Sequence, residues 1–360
     1  MLSERSIRCR SIHCITFDQI QKHALYAQKK RMLRRRTSVI FLCLCVALSL
    51  HYYQAFINIF IFNRQLLYKR QQQQQQQECF KNRFENTLLI IIFNFGLYDH
   101  IPLLKKLYQT TFPNIVFCGP TMSHNFTIVT ADIYNGYFSY HCLPMIMRNY
   151  ANYDNYSGYL FINDDVLLNF WNLPRLDTNE IWEGPKKPIS VGTFHRPDHW
   201  YWWGSRWGLK NCIKTLNKTR VSGENHVAEF YNTLRKNNKN GHKQCYGGRS
   251  DVFYIPRRFL HQFVYLAKMF RSSDVFLEIA VPTILRMLDN QSKFQHLKGV
   301  YLPGRAGTEP VVNSNYLWSV YNADLDFIHP VKLHYGENST KNYLILETFI
   351  QPKINKLVHC

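Results

Sequence analysis

The sequence predicts an α/β fold: a Rossmann-like mixed sheet flanked by helices and preceded by one N-terminal transmembrane helix. Three observations predict it. Strand-like and helix-like periodicities alternate from Leu88 to Asp165, the pattern of a sheet with helices on its faces. The apolar runs in that stretch are continuous, as in strands buried on both sides. Finally, Val39 to Phe62 carries no formal charge over 24 residues, close to the roughly 20 that cross a bilayer.

In chain order, residues 1–37 read as a basic tail, 38–63 as the anchor, 64–84 as a stem and 85–350 as the globular domain. Lys29, Lys30, Arg31, Arg34, Arg35 and Arg36 precede the apolar run and favour a cytosolic N-terminus. A cleaved signal peptide fits poorly, because the apolar segment starts so far into the chain. The stem contains seven consecutive glutamines, Gln71 to Gln77, which cannot bury apolar surface and serve as a spacer.

The net charge of +20 divides unevenly. Residues 1–70 carry +11 and the remaining 290 carry +9. A basic segment abutting an apolar run is a feature of membrane topology, and no nucleic-acid-binding motif accompanies it, so no nucleic-acid partner is expected.

In the globular part, Leu88–Phe93 reads as a strand and Leu97–Tyr108 as an amphipathic helix with Leu103, Leu104, Leu107 and Tyr108 on one side. Asn114–Cys118 and Phe126–Val129 follow as strands, Phe138–Tyr150 as a helix and Tyr159–Ile162 as a buried strand. No G-x-G-x-x-G or G-x-x-x-x-G-K-S/T occurs, so a dinucleotide or P-loop site has no support.

The buried strand stops at Asn163, Asp164 and Asp165. Ligands of open α/β sheets bind beyond the carboxyl ends of strands, and paired carboxylates there suit Mg²⁺ or Mn²⁺ carrying a diphosphate. The competing reading is an Asp164 that caps the next segment and an Asp165 that makes a salt bridge. The triplet resembles the Asp-x-Asp region of GT-A glycosyltransferases, with Asn163 standing where that pattern has its first Asp. The resemblance implies a GT-A-like domain from about Leu88 to Gly336, acting on a nucleotide-sugar donor and a glycan or glycoprotein acceptor. It places metal ligation on Asp165, with Asp164 beside it and Asn163 as a ribose or sugar contact.

Other segments supply candidate partners. His195 to Trp207 holds four of the seven tryptophans, among them Trp202 and Trp203, and aromatic faces stack on sugar rings; the alternative is that these rings are core. Gly247 and Gly248 permit close backbone approach to a ligand, or a plain turn, ahead of Asp251 at the head of an apolar strand. Ser272 or Ser273 is expected to cap a helix through Glu278, which would put Asp274 and Glu278 on one face. The resemblance implies a late carboxylate as general base: Glu278, in an apolar setting, or Asp274, which as readily complements a helix dipole. It also implies a late histidine on the metal, His329 or His334, with Lys332 to neutralise the leaving diphosphate.

The six cysteines after the anchor suit disulfides in an oxidising lumen or buried thiols. No Cys-x-x-Cys pair suggests zinc. Asn-x-Ser/Thr sequons at Asn125, Asn155, Asn217, Asn290 and Asn338 all follow the anchor. Together these features point to a single-pass type II protein of the Golgi or ER membrane with its large domain in the lumen. They point either to a metal-dependent glycosyltransferase or to an anchored carbohydrate-binding or adhesion protein without turnover.

Overall fold

The structure is a computed structural model that describes residues 80–149, 155–185, 189–191, 200–221, 225–238, 245–302, 314–334 and 336–358. All of them belong to one compact unit, Glu78–Cys360. The expected basic tail, the anchor at 38–63 and the stem up to residue 79 lie outside the described residues. Among the described residues no helix is long and apolar enough to cross a membrane.

Twelve strands are present among these residues: β1 (Thr87–Ile92), β2 (Ile115–Gly119), β3 (Val129–Thr130), β4 (Gly158–Asn163), β5 (Leu167–Leu168), β6 (Trp182–Glu183), β7 (Ile189–Val191), β8 (Cys245–Gly247), β9 (Val252–Pro256), β10 (Gln295–His296), β11 (Gly299–Tyr301) and β12 (Phe327–His329). The helices are α1 (Ile101–Tyr108), α2 (Cys142–Asn149), α3 (Tyr201–Gly204), α4 (Leu209–Val221), α5 (Asn225–Asn237), α6 (Leu260–Arg271), α7 (Leu277–Leu288), α8 (Ser314–Val320), α9 (Gly336–Ile345) and α10 (Gln351–Val358).

Seven strands form the main sheet in the order β10-β6-β9-β4-β1-β2-β3. At its centre β1 pairs in parallel with β2 and β4, while β4 pairs antiparallel with β9. The sheet is therefore mixed, as expected. β1 and β4 are buried along their whole length, which is why they read as unbroken apolar runs.

Alternate side chains go to opposite cores. Leu88, Ile90, Ile92, Tyr159, Phe161, Phe253 and Ile255 face one core with α2, α6 and α7. Leu89, Ile91, Leu160, Ile162, Val252 and Tyr254 face the other with α1 and α10. α7 is buried on every side, and its sequence is apolar apart from Glu278, Thr283 and Arg286, the last paired with Glu183. Two disulfides brace this frame, Cys118–Cys142 between β2 and α2 and Cys212–Cys245 between α4 and β8.

Three expected elements change. The helix expected from Leu97 starts only at Ile101, where Pro102 occupies the first turn and its fixed φ suits a helix start. The strand expected at Phe126–Val129 contracts to Val129–Thr130. Ser272 and Ser273 do not cap α7. Its N-cap is Phe276, without a side-chain bond, and Asp274 precedes the helix with φ 52°. Asp274 and Glu278 therefore do not share a helix face: the chain turns in the left-handed region between α6 and α7 and re-aims the first carboxylate.

Candidate active site

The site is built where β4 ends. The Asp164 amide donates to Ile92 O at 2.9 Å, and the Val166 amide closes a turn onto Asn163 O at 3.0 Å, so the carboxylates are carried on a tight turn at the strand's carboxyl end. A second, three-stranded sheet brings distant residues to that turn. β12 pairs with β11 in parallel and with β5 antiparallel, and the Val331 amide donates to Asp165 O at 2.6 Å. His329, Lys332 and His334 are thereby delivered to the two aspartates from more than 160 residues away in the chain.

Asp165 is the hub. His329 Nε2 lies 3.1 Å from Asp165 Oδ1 and 3.5 Å from Asp251 Oδ1, and Lys332 Nζ pairs with Asp165 Oδ2. The salt-bridge reading of Asp165 thus holds as far as it went. His334 Nε2 is 3.3 Å from Asp164 Oδ2, and its ring packs on His100 with centroids 4.2 Å apart.

Asn163 turns inward. Its Nδ2 donates to Asp251 Oδ1 at 2.9 Å, so its amide is engaged by Asp251 within the protein. An aspartate here would set carboxylate against carboxylate, whereas the amide supplies the donor that Asp251 needs. Asp251 is thereby the third carboxylate of the cluster.

Charge and burial act against each other. Burial alone would raise Asp165, but His329 and Lys332 outweigh it and hold the carboxyl well below its usual range. Burial raises Asp164, with the bond from His334 opposing. Burial would lower His329, yet Asp251 and Asp165 raise it. Asp165 raises Lys332.

Glu278 sits in the first turn of α7, 7% exposed. Its backbone oxygen accepts from the Gly248 amide at 2.9 Å, and Arg249 Nη1 reaches its Oε1 at 3.2 Å. Burial pushes its carboxyl up to about 7, against the pull of Arg249 and with the help of Asp251. Arg249 also lies over the Tyr301 ring, 5.4 Å from its centroid, and Tyr301 meets His329 edge-on at 5.6 Å. A continuous chain of contacts thus joins Glu278 to the aspartate cluster.

The donor chemistry of the cluster suits a divalent cation in part. Carboxylates suit Mn²⁺ or Mg²⁺; Asp251 Oδ2 is a buried oxygen with no hydrogen-bond partner and Asp165 Oδ1 is met by His329, an arrangement with room in its charge balance for a cation. As they stand, the carboxylates are met by Lys332 and His329, and among the described residues no group of three or more His, Cys, Asp or Glu is spaced to hold one ion. The donors fit by type, with His329 at the position between Asp165 and Asp251.

Other predicted residues fall differently. Trp203 is buried, and a Cβ on Gly247 would come within 2.5 Å of its ring; Gly247 is small to admit a tryptophan, and Trp203 is core. Gly248 holds Glu278 through its amide, as above. Trp202 is half-buried and stacks on Phe276 at 4.0 Å. Asp274 pairs with Arg271 in a separate cavity. Residues 195–199, the start of the aromatic segment, lie outside the described residues.

Arg249 and Tyr301 escaped sequence reasoning. Arg249 adjoins Gly248 and could have been flagged as a cation beside a glycine pair; Tyr301 carried no signal, because only the β11–β12 pairing brings it near.

Comparisons with known proteins bear on the family of the chain. The family model of STELLO glycosyltransferases matches residues 2–251, which takes in Asn163, Asp164, Asp165 and Asp251 and ends before Glu278 and the late histidines. "Probable glycosyltransferase STELLO1" of Arabidopsis thaliana is 25% identical over 252 residues, and "Probable glycosyltransferase STELLO2" of the same plant is 26% identical over 255; each alignment covers 69% of this chain. The chain spans 30% of the length of these curated relatives. The match over more than half of its residues places it plainly: the chain belongs to the STELLO glycosyltransferase family.

Proposed function

We propose that this chain transfers a sugar from a nucleotide-sugar donor to a hydroxyl of a glycan, protein or lipid acceptor, as a type II protein with its domain in the Golgi or ER lumen. The observation that carries the proposal is the convergence at the end of β4 of Asp165 and Asp251 on His329, of Asp165 on Lys332 and of Asp164 on His334, with the buried carboxyl Glu278 linked to them through Arg249. Ligands of open α/β sheets bind at strand ends of this kind.

Mn²⁺ or Mg²⁺ would be held by Asp165 with His329 or His334 and with Asp251, and when bound it supplies charge stabilisation to the leaving diphosphate. Lys332 adds a fixed positive charge to the same end. Glu278 acts as general base: it takes the proton of the acceptor hydroxyl as the new oxygen–C1 bond forms and the C1–diphosphate bond breaks, its electron pair leaving with the diphosphate. Such a displacement inverts the anomeric centre. A carboxyl at about 7 is matched to that task near neutrality.

The lumenal setting rests on the uncharged run Val39–Phe62, the sequons that all follow it and the two disulfides, which persist in oxidising compartments. Calorimetry of uridine and guanosine diphosphates on the full-length chain in detergent, with and without Mn²⁺, tests the core of the proposal. Metal-dependent binding of either supports it. A folded chain that binds neither nucleotide but retains glycan would instead be an anchored carbohydrate-binding protein.

A further inference from the structure

We propose that a cavity separate from the aspartate cluster binds a neutral pyranose unit of the acceptor. As an acceptor site it rests on the glycosyl-transfer reading; as a sugar site it stands on its own geometry. The cavity measures about 360 Å³ and is lined by Asp132, Tyr134, Arg206, Trp207, Arg271 and Asp274 among others. That volume lies within the roughly 300–1,000 Å³ of small-molecule sites.

Its walls have the composition that sugars select. Tyr134 is 46% exposed and stands against Tyr137 and Trp207, with ring centroids 5.4 and 5.7 Å away. Arg206 covers one face of Trp207 at 4.2 Å, which leaves Tyr134 as the open stacking platform. Arg271 bridges Asp132 and Asp274, whose carboxylates are 74% and 54% exposed and keep acceptor lone pairs for hydroxyls. Two arginines balance two aspartates, so the lining carries no net charge and favours a neutral ligand over an acidic or basic one.

The platform is held in a strained conformation. Tyr134, Asn135 and Gly136 occupy the left-handed region in succession, with φ of 40°, 54° and 83°, and Asp274 across the cavity has φ 52°. Non-glycine residues persist there only where their surroundings impose it, and such positions cluster at binding sites.

Three consecutive residues connect this cavity to the proposed base. The Phe276 amide donates to Trp207 O at 2.8 Å, the Leu277 amide donates to Tyr137 O at 2.7 Å, and Glu278 O accepts from Gly248. One short segment therefore ties Trp207, which lines the cavity, and Tyr137, which packs on Trp207, to the residue proposed as the base.

The test uses the full-length chain in detergent, with saturation-transfer NMR and calorimetry on maltotriose, cellotriose, mannotriose, xylotriose and chitotriose, and trigalacturonate as the acidic control. At least one neutral trisaccharide should bind, and trigalacturonate should bind no tighter. Tyr134→Asn removes the ring while keeping a residue that tolerates the left-handed region, and should weaken binding tenfold or more. Asp132→Asn should weaken it severalfold. Uridine or guanosine diphosphate binding, measured on the same samples, reports folding and the donor site independently. Trisaccharide binding without nucleotide binding keeps the sugar site and removes the transfer reading. Absence of binding by every neutral trisaccharide, or binding unchanged in both variants, overturns the cavity assignment.

Discussion

Arg249 Nη1 lies 3.2 Å from Glu278 Oε1, a half-exposed guanidinium on an almost fully buried carboxyl. Burial raises Glu278 from its ordinary 4.5 to about 7, and Arg249 opposes that rise. As a base it must be ionised, so the acid limb of kcat should climb with a midpoint near pH 7. Arg249→Gln removes the restraining charge and should move that limb to higher pH. Glu278→Gln should lower kcat about 10²- to 10⁴-fold, as loss of a general base does, and flatten the limb. The folded state prefers the protonated carboxyl, so its contribution to stability is present below pH 4.5 and is lost as pH rises through about 7. A rate profile from pH 5.5 to 9 decides; an acid limb retained in Glu278→Gln would assign the base elsewhere.

Asp165 shows the opposite sign. Its carboxyl is depressed despite burial, because His329 and Lys332 surround it. Its contribution to stability is present above the usual value of 3.8 and is lost as pH falls below that value toward its depressed folded pKa. Asp165→Asn should destabilise the fold by about 3 kcal/mol, the low end for a broken buried pair, because Lys332 stays partly exposed and can find water. Urea titrations at pH 7 and pH 3.5 would read this, with the gap between wild type and variant narrowing at the lower pH. The same variant should lose metal-dependent nucleotide binding.

Gly136 and Asn94 are in tight register at the end of β1. A Cβ on Gly136 would stand 2.1 Å from Asn94 Oδ1, at a φ of +83°. Gly136→Ala should lower stability by about 2 kcal/mol through strain and clash together. Asn94→Ala in the same chain should recover only the clash, leaving the backbone term. Thermal melts of the four proteins in this cycle separate the two.

The disulfides and sequons test the compartment. Cys118–Cys142 and Cys212–Cys245 span 24 and 33 residues, so opening either should cost about 3.5 kcal/mol by loop closure. Asn125 and Asn290 are exposed and should carry glycans on chains made in secreting cells, read as a mobility shift on enzymatic deglycosylation. Unmodified chains of full length would place this domain on the cytosolic side.

Much of the frame was legible because burial on both faces leaves an unmistakable run of residues. β1, β2, β4 and β9 appear where periodicity put them. Asp164 and Asp165 were legible for the same reason, since polar residues at the end of such a run stand out. Short elements without periodicity, such as β3, were not, nor was the left-handed turn at Asp274, which parts it from Glu278.

The sequence by itself determined the layered α/β frame, the carboxylate turn after β4 and the late cluster of His329, Lys332 and His334 as separate segments. Only the tertiary structure decided which of them meet. The β5–β12 pairing carries the late cluster onto Asp165, Asn163 turns inward to hold Asp251, and α7 buries Glu278 against Arg249. The reason is physical: strand and helix character is written in local periodicity, whereas a site depends on contacts between residues far apart in the chain, which no local pattern encodes.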